Sequence, residues 1–351
     1  MIDAPERIAL AEGLTVSRLT RGNWQLAAKH GPVIAEDVAI EGMRQFVEAG
    51  ITNFDCADHY VGVEALIGAF RRRYPELAAR LTVQTKIVPD RNILPGITRA
   101  AVEQIIDRAR DRLGMDVLDL VQFHWWEYDT AGYVDSMLWL ADMQAEGKIR
   151  QLGVTNFDCR RLEQILAADV PLVSHQVQYT ALDHRPERGM VDLCRDNGIG
   201  LQCYGVLAGG FLSDTWLGRP APDHAVDRSQ EKYRLIIEEF GGWDAYQTLL
   251  GALAQVAGRH SVSIAAVATR YVLDRPGVAT AIVGARTDSH LADLLTVTTL
   301  RLTPGDIAAI DNAAGAARGL AGDCYALERD PKGPHTAMNW KNQNLQGAGA
   351  R

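Results

Sequence analysis

Short apolar stretches rich in β-branched residues recur along this chain, each stopping at a polar side chain, with segments of helical spacing between them. Four runs show the pattern best: NFDCADHY (53–60), LTVQTKI (81–87), LDLVQFHWW (118–126) and IRQLGVTNF (149–157). Their apolar stretches give way to Asp55 and Tyr60, then Lys86, His124 and Asn156. Ahead of the first run lies AEDVAIEGMRQFVEAG, closed by a stop-signal glycine, and between the second and third lies TRAAVEQIIDRARDRLG, where Thr98 can cap a helix and Gly114 can end it. Strand SHQVQYT, helix RGMVDLCRDNG and strand GLQCYGV continue the alternation. A segment at 207–227 rich in Gly, Pro and Asp interrupts it, followed by helical EKYRLIIEEF, DAYQTLLGALAQVAGRH and SIAAVATRYVLDR. The last strand is TAIVGA (280–285), trailed by helices SHLADLLTV and TPGDIAAIDNAAG.

Counting the first strand, which should end near 22–24, the pattern predicts eight strands with a helix after each. Repeated βα units imply parallel strands and right-handed crossovers, and eight of them imply an α/β fold of the (β/α)8 TIM-barrel class. LTVSRLTRGNW predicts a short strand or hairpin entering the first barrel strand, with an N-terminal β-hairpin plugging the bottom. We expect one domain over 1–351, with the barrel at about 14–315, extra helices after the seventh strand, and a tail at about 316–351 that has no periodicity and is flexible or drapes over a face.

Composition narrows the function classes. Of 351 residues, 47% are hydrophobic and 23% charged, as in a soluble protein with a sizeable core, and the net charge of −8 disfavours a nucleic-acid or anionic-membrane partner. No run approaches the ~18 apolar residues of a membrane span. Five scattered cysteines (Cys56, Cys159, Cys194, Cys203, Cys324) without a CxxC pair suit neither a disulfide framework nor a zinc site and point to a reduced, cytoplasmic setting.

Tyr60 alone would read as a half-buried packing residue, and its companions change that. A phenol, with a pKa of about 10, donates a proton more readily beside a cation. TVQTKI places Val83, Thr85 and Ile87 on one face and Gln84 and Lys86 on the other, so in a barrel covered on both faces Lys86 points inward and needs a partner, which Asp55 supplies. His124 alone would read as a satisfied core imidazole; beside Tyr60 and Lys86 it reads as a donor that orients a carbonyl. No second His or acid stands at metal-ligand spacing, so no metal is expected.

Taken together these residues resemble the Asp–Tyr–Lys–His tetrad of the aldo-keto reductases. FDCADHYVGVEALIG, QTK, QFH, GVTNF and HQVQY resemble that family's blocks in order, over roughly residues 14–315. The resemblance implies reversible NAD(P)H-dependent reduction of aldehydes or ketones, with Tyr60 as general acid, Lys86 and Asp55 tuning it, and His124 orienting the carbonyl. It further implies that Asn156 and Gln176 bond the nicotinamide carboxamide and that Tyr204 stacks on its ring. Gly205 and the backbone of Leu207, Gly209, Gly210 and Leu212 would follow the pyrophosphate, and Asn23 and Trp24 would border cofactor and substrate. IVGARTDSHLADLL resembles the adenosine-binding block, with Gly284, Arg286, His290 and Asp293 as its members; Arg286 on a 2′-phosphate ranks NADP(H) ahead of NAD(H). This chain departs from the family pattern at Gly205, His290, Asp293 and Leu294. Trp24, His59, Trp125 and Trp126 are expected to line the carbonyl pocket.

Other signatures fail. The nearest approach to GxGxxG, beginning at Gly198 and Gly200, lacks its third glycine and precedes a strand, and no P-loop, GxSxG or HExxH occurs. Two alternatives stay open: an NAD-linked sugar or polyol dehydrogenase on the same site, and a non-catalytic cofactor-binding regulatory subunit. The expected partner is a small carbonyl or alcohol substrate.

Overall fold

The computed structural model describes residues 5–28 and 30–338. An antiparallel hairpin of β1 (Arg7–Ala11) and β2 (Leu14–Ser17) turns at Gly13, whose φ of 74° suits a residue without a side chain. The hairpin thus starts earlier than the sequence pattern indicated. It closes the bottom of the barrel: Leu10, Leu14 and Val16 pack on Leu120 and Ala279, and a Cβ on Gly200 would lie 2.9 Å from Leu10 Cδ2.

Eight parallel strands then form a closed barrel, β3 (Leu19–Gly22), β4 (Asn53–Asp55), β5 (Thr82–Ile87), β6 (Leu118–Phe123), β7 (Ile149–Thr155), β8 (Leu172–Gln178), β9 (Gly200–Tyr204) and β10 (Val278–Gly284), the last pairing with the first. Helix α1 (Glu36–Glu48) follows β3, α2 (Val63–Arg73) and the short α3 (Pro75–Ala78) follow β4, and α4 (Arg99–Leu113) follows β5. α5 (Tyr133–Ala145), α6 (Cys159–Leu166) and α7 (Met190–Asp196) follow β6, β7 and β8. Three helices, α8 (Arg228–Phe240), α9 (Trp243–His260) and α10 (Ile264–Leu273), separate β9 from β10, which is followed by α11 (Leu291–Thr296) and α12 (Pro304–Gly315).

Local chemistry sets these boundaries. Thr98 Oγ1 accepts from Ala101 N at the start of α4, which Gly114 ends at φ 62°, and α12 opens on a capping box between Thr303 and Asp306. Inside the barrel a polar belt crosses the strands: Asn53 donates to Thr20 (2.7 Å), Gln84 to Asn53, and Gln122 to Gln84 (3.3 Å). Outward-facing apolar side chains of the strands and the inner faces of the helices make one continuous core.

Beyond α12 the chain drapes over the C-terminal ends of the strands and ends its described part with α13 (Ala326–Arg329) and a 3-10 turn at Pro334–Met338. Arg329 fastens this segment, donating to Asn156 O (3.0 Å) and Trp125 O (2.6 Å) with its guanidinium 4.0 Å from the Tyr128 ring centroid. Of the two behaviours open to the tail, draping holds for 316–338; the terminal KNQNLQGAGAR lies outside the described residues.

Candidate active site

Strand ends bring Asp55, Tyr60, Lys86 and His124 to one cavity of about 880 Å³ at the C-terminal mouth of the barrel, the end where barrel enzymes carry their chemistry. Lys86 is the hub. Its ammonium donates to Asp55 Oδ1 (2.6 Å), Asp55 Oδ2 (2.8 Å) and Cys56 O (2.9 Å), and both side chains of the ion pair are buried. Gln176, on the next strand but three, donates to Asp55 Oδ1 at 2.7 Å and braces the same carboxylate. The half-buried Tyr60 lies with its ring centroid 5.1 Å from Lys86 Nζ.

The phenol does not behave as the sequence suggested. Burial, and then the Asp55, Cys56 and Asp58 groups, push Tyr60 well above the ordinary tyrosine range. Burial outweighs the lowering expected from Lys86, whose ammonium protons are turned to Asp55 and Cys56 rather than to the phenol. Tyr60 is thereby held in its proton-bearing form.

His124 also differs from expectation. Its Nδ1 faces Thr155 O at 3.2 Å, and a carbonyl only accepts, so Nδ1 carries the proton. Burial, helped by the Arg329 charge, holds the ring's pKa well below the usual imidazole value, so the ring is neutral. Nε2, buried and without a protein partner, then presents a lone pair rather than the donor expected from sequence.

The cavity also takes in Trp24, His59 and Trp126. Trp126 donates from Nε1 to Pro89 O (2.9 Å) and stands edge-on to His124 with centroids 4.6 Å apart; His59 packs on Tyr60 at 4.7 Å. Trp125 is a correction: it turns into the core, its indole donating to Glu127 O (2.9 Å) and Thr130 O (3.0 Å), because adjacent residues leaving a strand point to opposite sides.

From the tetrad the cavity extends past Asn156, Gln176, Tyr204, Gly205, Leu207, Gly209 and Gly210 to Gly284, Arg286, His290 and Asp293. Asn156 takes a left-handed φ of 62° and accepts from the Tyr204 hydroxyl at 2.9 Å. Two expected members do not line the cavity. Asn23 is buried and donates to Asp55 O (2.9 Å), tying β3 to β4; Leu212 is buried with its N–H spent on Leu207 O (3.1 Å). Gly205 and Gly209 are glycines for a local reason. Both have positive φ, and a Cβ would lie 2.0 Å from the Tyr233 hydroxyl oxygen or 2.9 Å from Ser229 O, so α8 packs where side chains would stand. At the far end Arg286 Nη2 lies 3.5 Å from Asp227 Oδ2, and Asp293 accepts from Ser263 (2.8 Å).

Sequence reasoning missed Lys232, Tyr325 and Glu328, which also line the cavity. Lys232 Nζ sits 3.4 Å from Glu328 Oε1 and 4.8 Å from the Tyr204 ring centroid, and Tyr325 stands edge-on to His124 at 5.5 Å. The helical spacing of EKYRLIIEEF assigns Lys232 no role, and the aperiodic C-terminal segment gives no signal for the other two. Among the described residues no His, Cys, Asp and Glu cluster could hold a metal ion.

Comparison with known proteins places this geometry. Flagellar radial spoke protein 5 of Chlamydomonas reinhardtii is 29% identical over 257 residues, 62% of this chain but only 49% of that longer protein. The NADH-specific methylglyoxal reductase of Escherichia coli is 22% identical over 319 residues, spanning 84% of this chain and 93% of its own. The crystal structure of a Bombyx mori aldo-keto reductase in complex with NADP superposes with a TM-score of 0.68 at 20% identity, covering 89% of this chain and 93% of that one, and shows the shared fold. The family model described as Aldo/keto reductase family matches residues 18–314, and the chain belongs to that family.

Proposed function

We propose that this protein catalyses the reversible NAD(P)H-dependent reduction of an aldehyde or ketone to an alcohol. The buried Lys86–Asp55 pair beside Tyr60, opening with His124 on one cavity, carries the reading. When bound, a nicotinamide coenzyme supplies the hydride that becomes the new C–H bond. Tyr60 gives its phenolic proton to the carbonyl oxygen. The Lys86 ammonium, fixed by Asp55, stands beside the phenolate left behind and makes it tolerable until a proton returns. His124 and Trp126 bound the carbonyl pocket. In the reverse direction the same phenol accepts the alcohol's proton.

The residues present fit such a coenzyme. The cavity is long enough to pass from the tetrad to Arg286, with an amide, an aromatic ring and a glycine-containing loop along the way. Asn156 and Gln176 would meet the carboxamide, Tyr204 the ring, residues 205–210 the pyrophosphate, and Arg286, His290 and Asp293 the adenosine. Arg286 favours NADP(H), while Asp227 at 3.5 Å offsets part of its charge and narrows the margin over NAD(H); relatives named as NADH-specific and crystallised with NADP show both coenzymes in the family. Five free cysteines fit a cytoplasmic setting. The test is a fluorescence titration with NADPH and NADH, followed by a carbonyl panel including 4-nitrobenzaldehyde. Saturable binding and coenzyme oxidation are expected; binding of neither coenzyme, or binding without turnover of any carbonyl, would sink the proposal.

A further inference from the structure

We propose that Lys232 has chemistry of its own in the cavity, as a nucleophilic amine that condenses with aldehydes to form an imine. The proposal rests on the carbonyl-reductase reading only for the class of molecule that enters the cavity. Lys232 lies on α8, is buried, and lines the cavity although no step of the reduction uses it. Tyr204, Tyr233 and Tyr325 stand around its ammonium, with ring centroids 4.8, 5.6 and 5.8 Å from Nζ. The Tyr325 ring is also 5.5 Å from that of His124, so Lys232 stands one aromatic ring away from the carbonyl pocket.

The two lysines of the cavity differ in how their protons are held. Lys86 donates to three oxygens within 2.9 Å, which keeps its nitrogen charged and without a lone pair to offer. Lys232 faces one carboxylate oxygen, Glu328 Oε1 at 3.4 Å, longer than a strong charged hydrogen bond. Burial draws its pKa below the ordinary lysine value and Arg185 adds to that, against the opposing pull of Glu328 and Asp183. A lysine desolvated among apolar groups is an activated nucleophile. Glu328 takes one ammonium proton, and the freed lone pair forms a C–N bond as the carbonyl π pair moves to oxygen. That oxygen takes a second proton from the nitrogen. Glu328 then returns its proton to the hydroxyl, which leaves as water while nitrogen closes the C=N bond. Ammonium and aldehyde become iminium and water, with no oxidant or reductant.

The experiment treats the full-length protein, without coenzyme, with 4-nitrobenzaldehyde and sodium cyanoborohydride, which reduces an imine to a stable amine. Peptide mass spectrometry then follows the label on each of the six lysines. At neutral pH every unit by which an amine's pKa falls gives about tenfold more free base. Lys232 should therefore take the 4-nitrobenzyl group at least about tenfold faster than the exposed Lys332, while Lys86 stays unlabelled. Lys232→Arg keeps a cation beside Glu328 and cannot form the imine, so total incorporation should fall to that of the exposed lysines. Labelling of Lys232 no faster than Lys332, or of Lys86 ahead of it, overturns the proposal, and the map of the unmodified protein decides this even if the variant fails to fold. Coenzyme oxidation by 4-nitrobenzaldehyde with no label on Lys232 removes the imine and leaves the carbonyl-reductase reading standing. Label on Lys232 without turnover of any carbonyl does the reverse.

Discussion

Three acceptors around one ammonium explain why the chemistry at Tyr60 departs from that of a phenol paired directly with a lysine. With its protons spent on Asp55 and Cys56, Lys86 acts on the phenol through its field rather than by a direct bond. Tyr60→Phe removes only the hydroxyl, so coenzyme affinity should be nearly unchanged while kcat falls about 100-fold or more, the scale of a lost general acid. Near-normal turnover would take Tyr60 out of the mechanism. The coenzyme contacts can be tested at the same scale. A guanidinium on a phosphate contributes roughly 1.5–3 kcal/mol, or about 10- to 150-fold in affinity. Asp227 shares the charge of Arg286, so Arg286→Ala should weaken NADPH binding by an amount near the bottom of that range and barely affect NADH. Asp227→Asn should move the other way and tighten NADPH. Asparagine also caps helices well, so α8, which Asp227 caps through Gln230 N, should persist. Parallel losses for both coenzymes in Arg286→Ala would assign Arg286 to the adenine.

Between β5 and α2 lies a tie that sequence only half disclosed. The alternation in TVQTKI correctly puts Lys86 inside, because side chains of a strand alternate and a buried amine needs a counter-charge. The same alternation sends Thr85 outward, where its hydroxyl donates to Glu64 Oε1 on α2 at 2.6 Å, with Arg112 of α4 at 3.2 Å from Oε2. Sequence could not show that Glu64 would be sealed beneath the helices; burial, and then Asp58, push it up to about 7 from an ordinary 4.5. Its folded pKa lies above its unfolded one, so the folded state holds the proton longer. The resulting stability is complete below about pH 4.5 and is lost as pH rises through 7, with a slope of up to about 1.4 kcal/mol per pH unit. Chemical denaturation of wild type and Glu64→Gln at pH 5 and 7.5 should therefore show wild type losing stability relative to the variant at the higher pH. A constant difference would mean Glu64 is ionised throughout. Elements built on short-range periodicity were legible in this way: the eight strands, the caps at Thr98 and Gly114, and the inward Lys86. Contacts from distant segments were not. Trp125 and Trp126 look alike in LVQFHWW, yet one enters the core and one the pocket, and the steric demand of Tyr233 that makes residues 205 and 209 glycines lies on another helix.

At the scale of the whole molecule, the barrel supplies the tetrad and a separate segment completes the cavity. Residues 316–338 cross the barrel mouth and contribute Tyr325 and Glu328 to the cavity wall, so the site spans the chain from Gly22 to Glu328. Arg329 is the fastener, joining the segment to the loops after β6 and β7 through Trp125 O and Asn156 O, with Tyr128 and Tyr325 around its guanidinium. Charged hydrogen bonds of this kind contribute about 1.5–3 kcal/mol each before solvent screening. Arg329→Ala should leave the barrel folded, because none of its strands depends on Arg329. The segment should detach more often, exposing its backbone to protease between 316 and 338 well before the barrel is cut. Losing the cavity wall should raise KM for the carbonyl substrate by about tenfold while coenzyme affinity changes little, since a wall contact acts on binding rather than on the proton-transfer step. Limited proteolysis read by mass spectrometry, with steady-state kinetics on the same preparation, checks both halves. A variant as protease-resistant as wild type would show that the segment is held by its apolar contacts and that Arg329 does not fasten it.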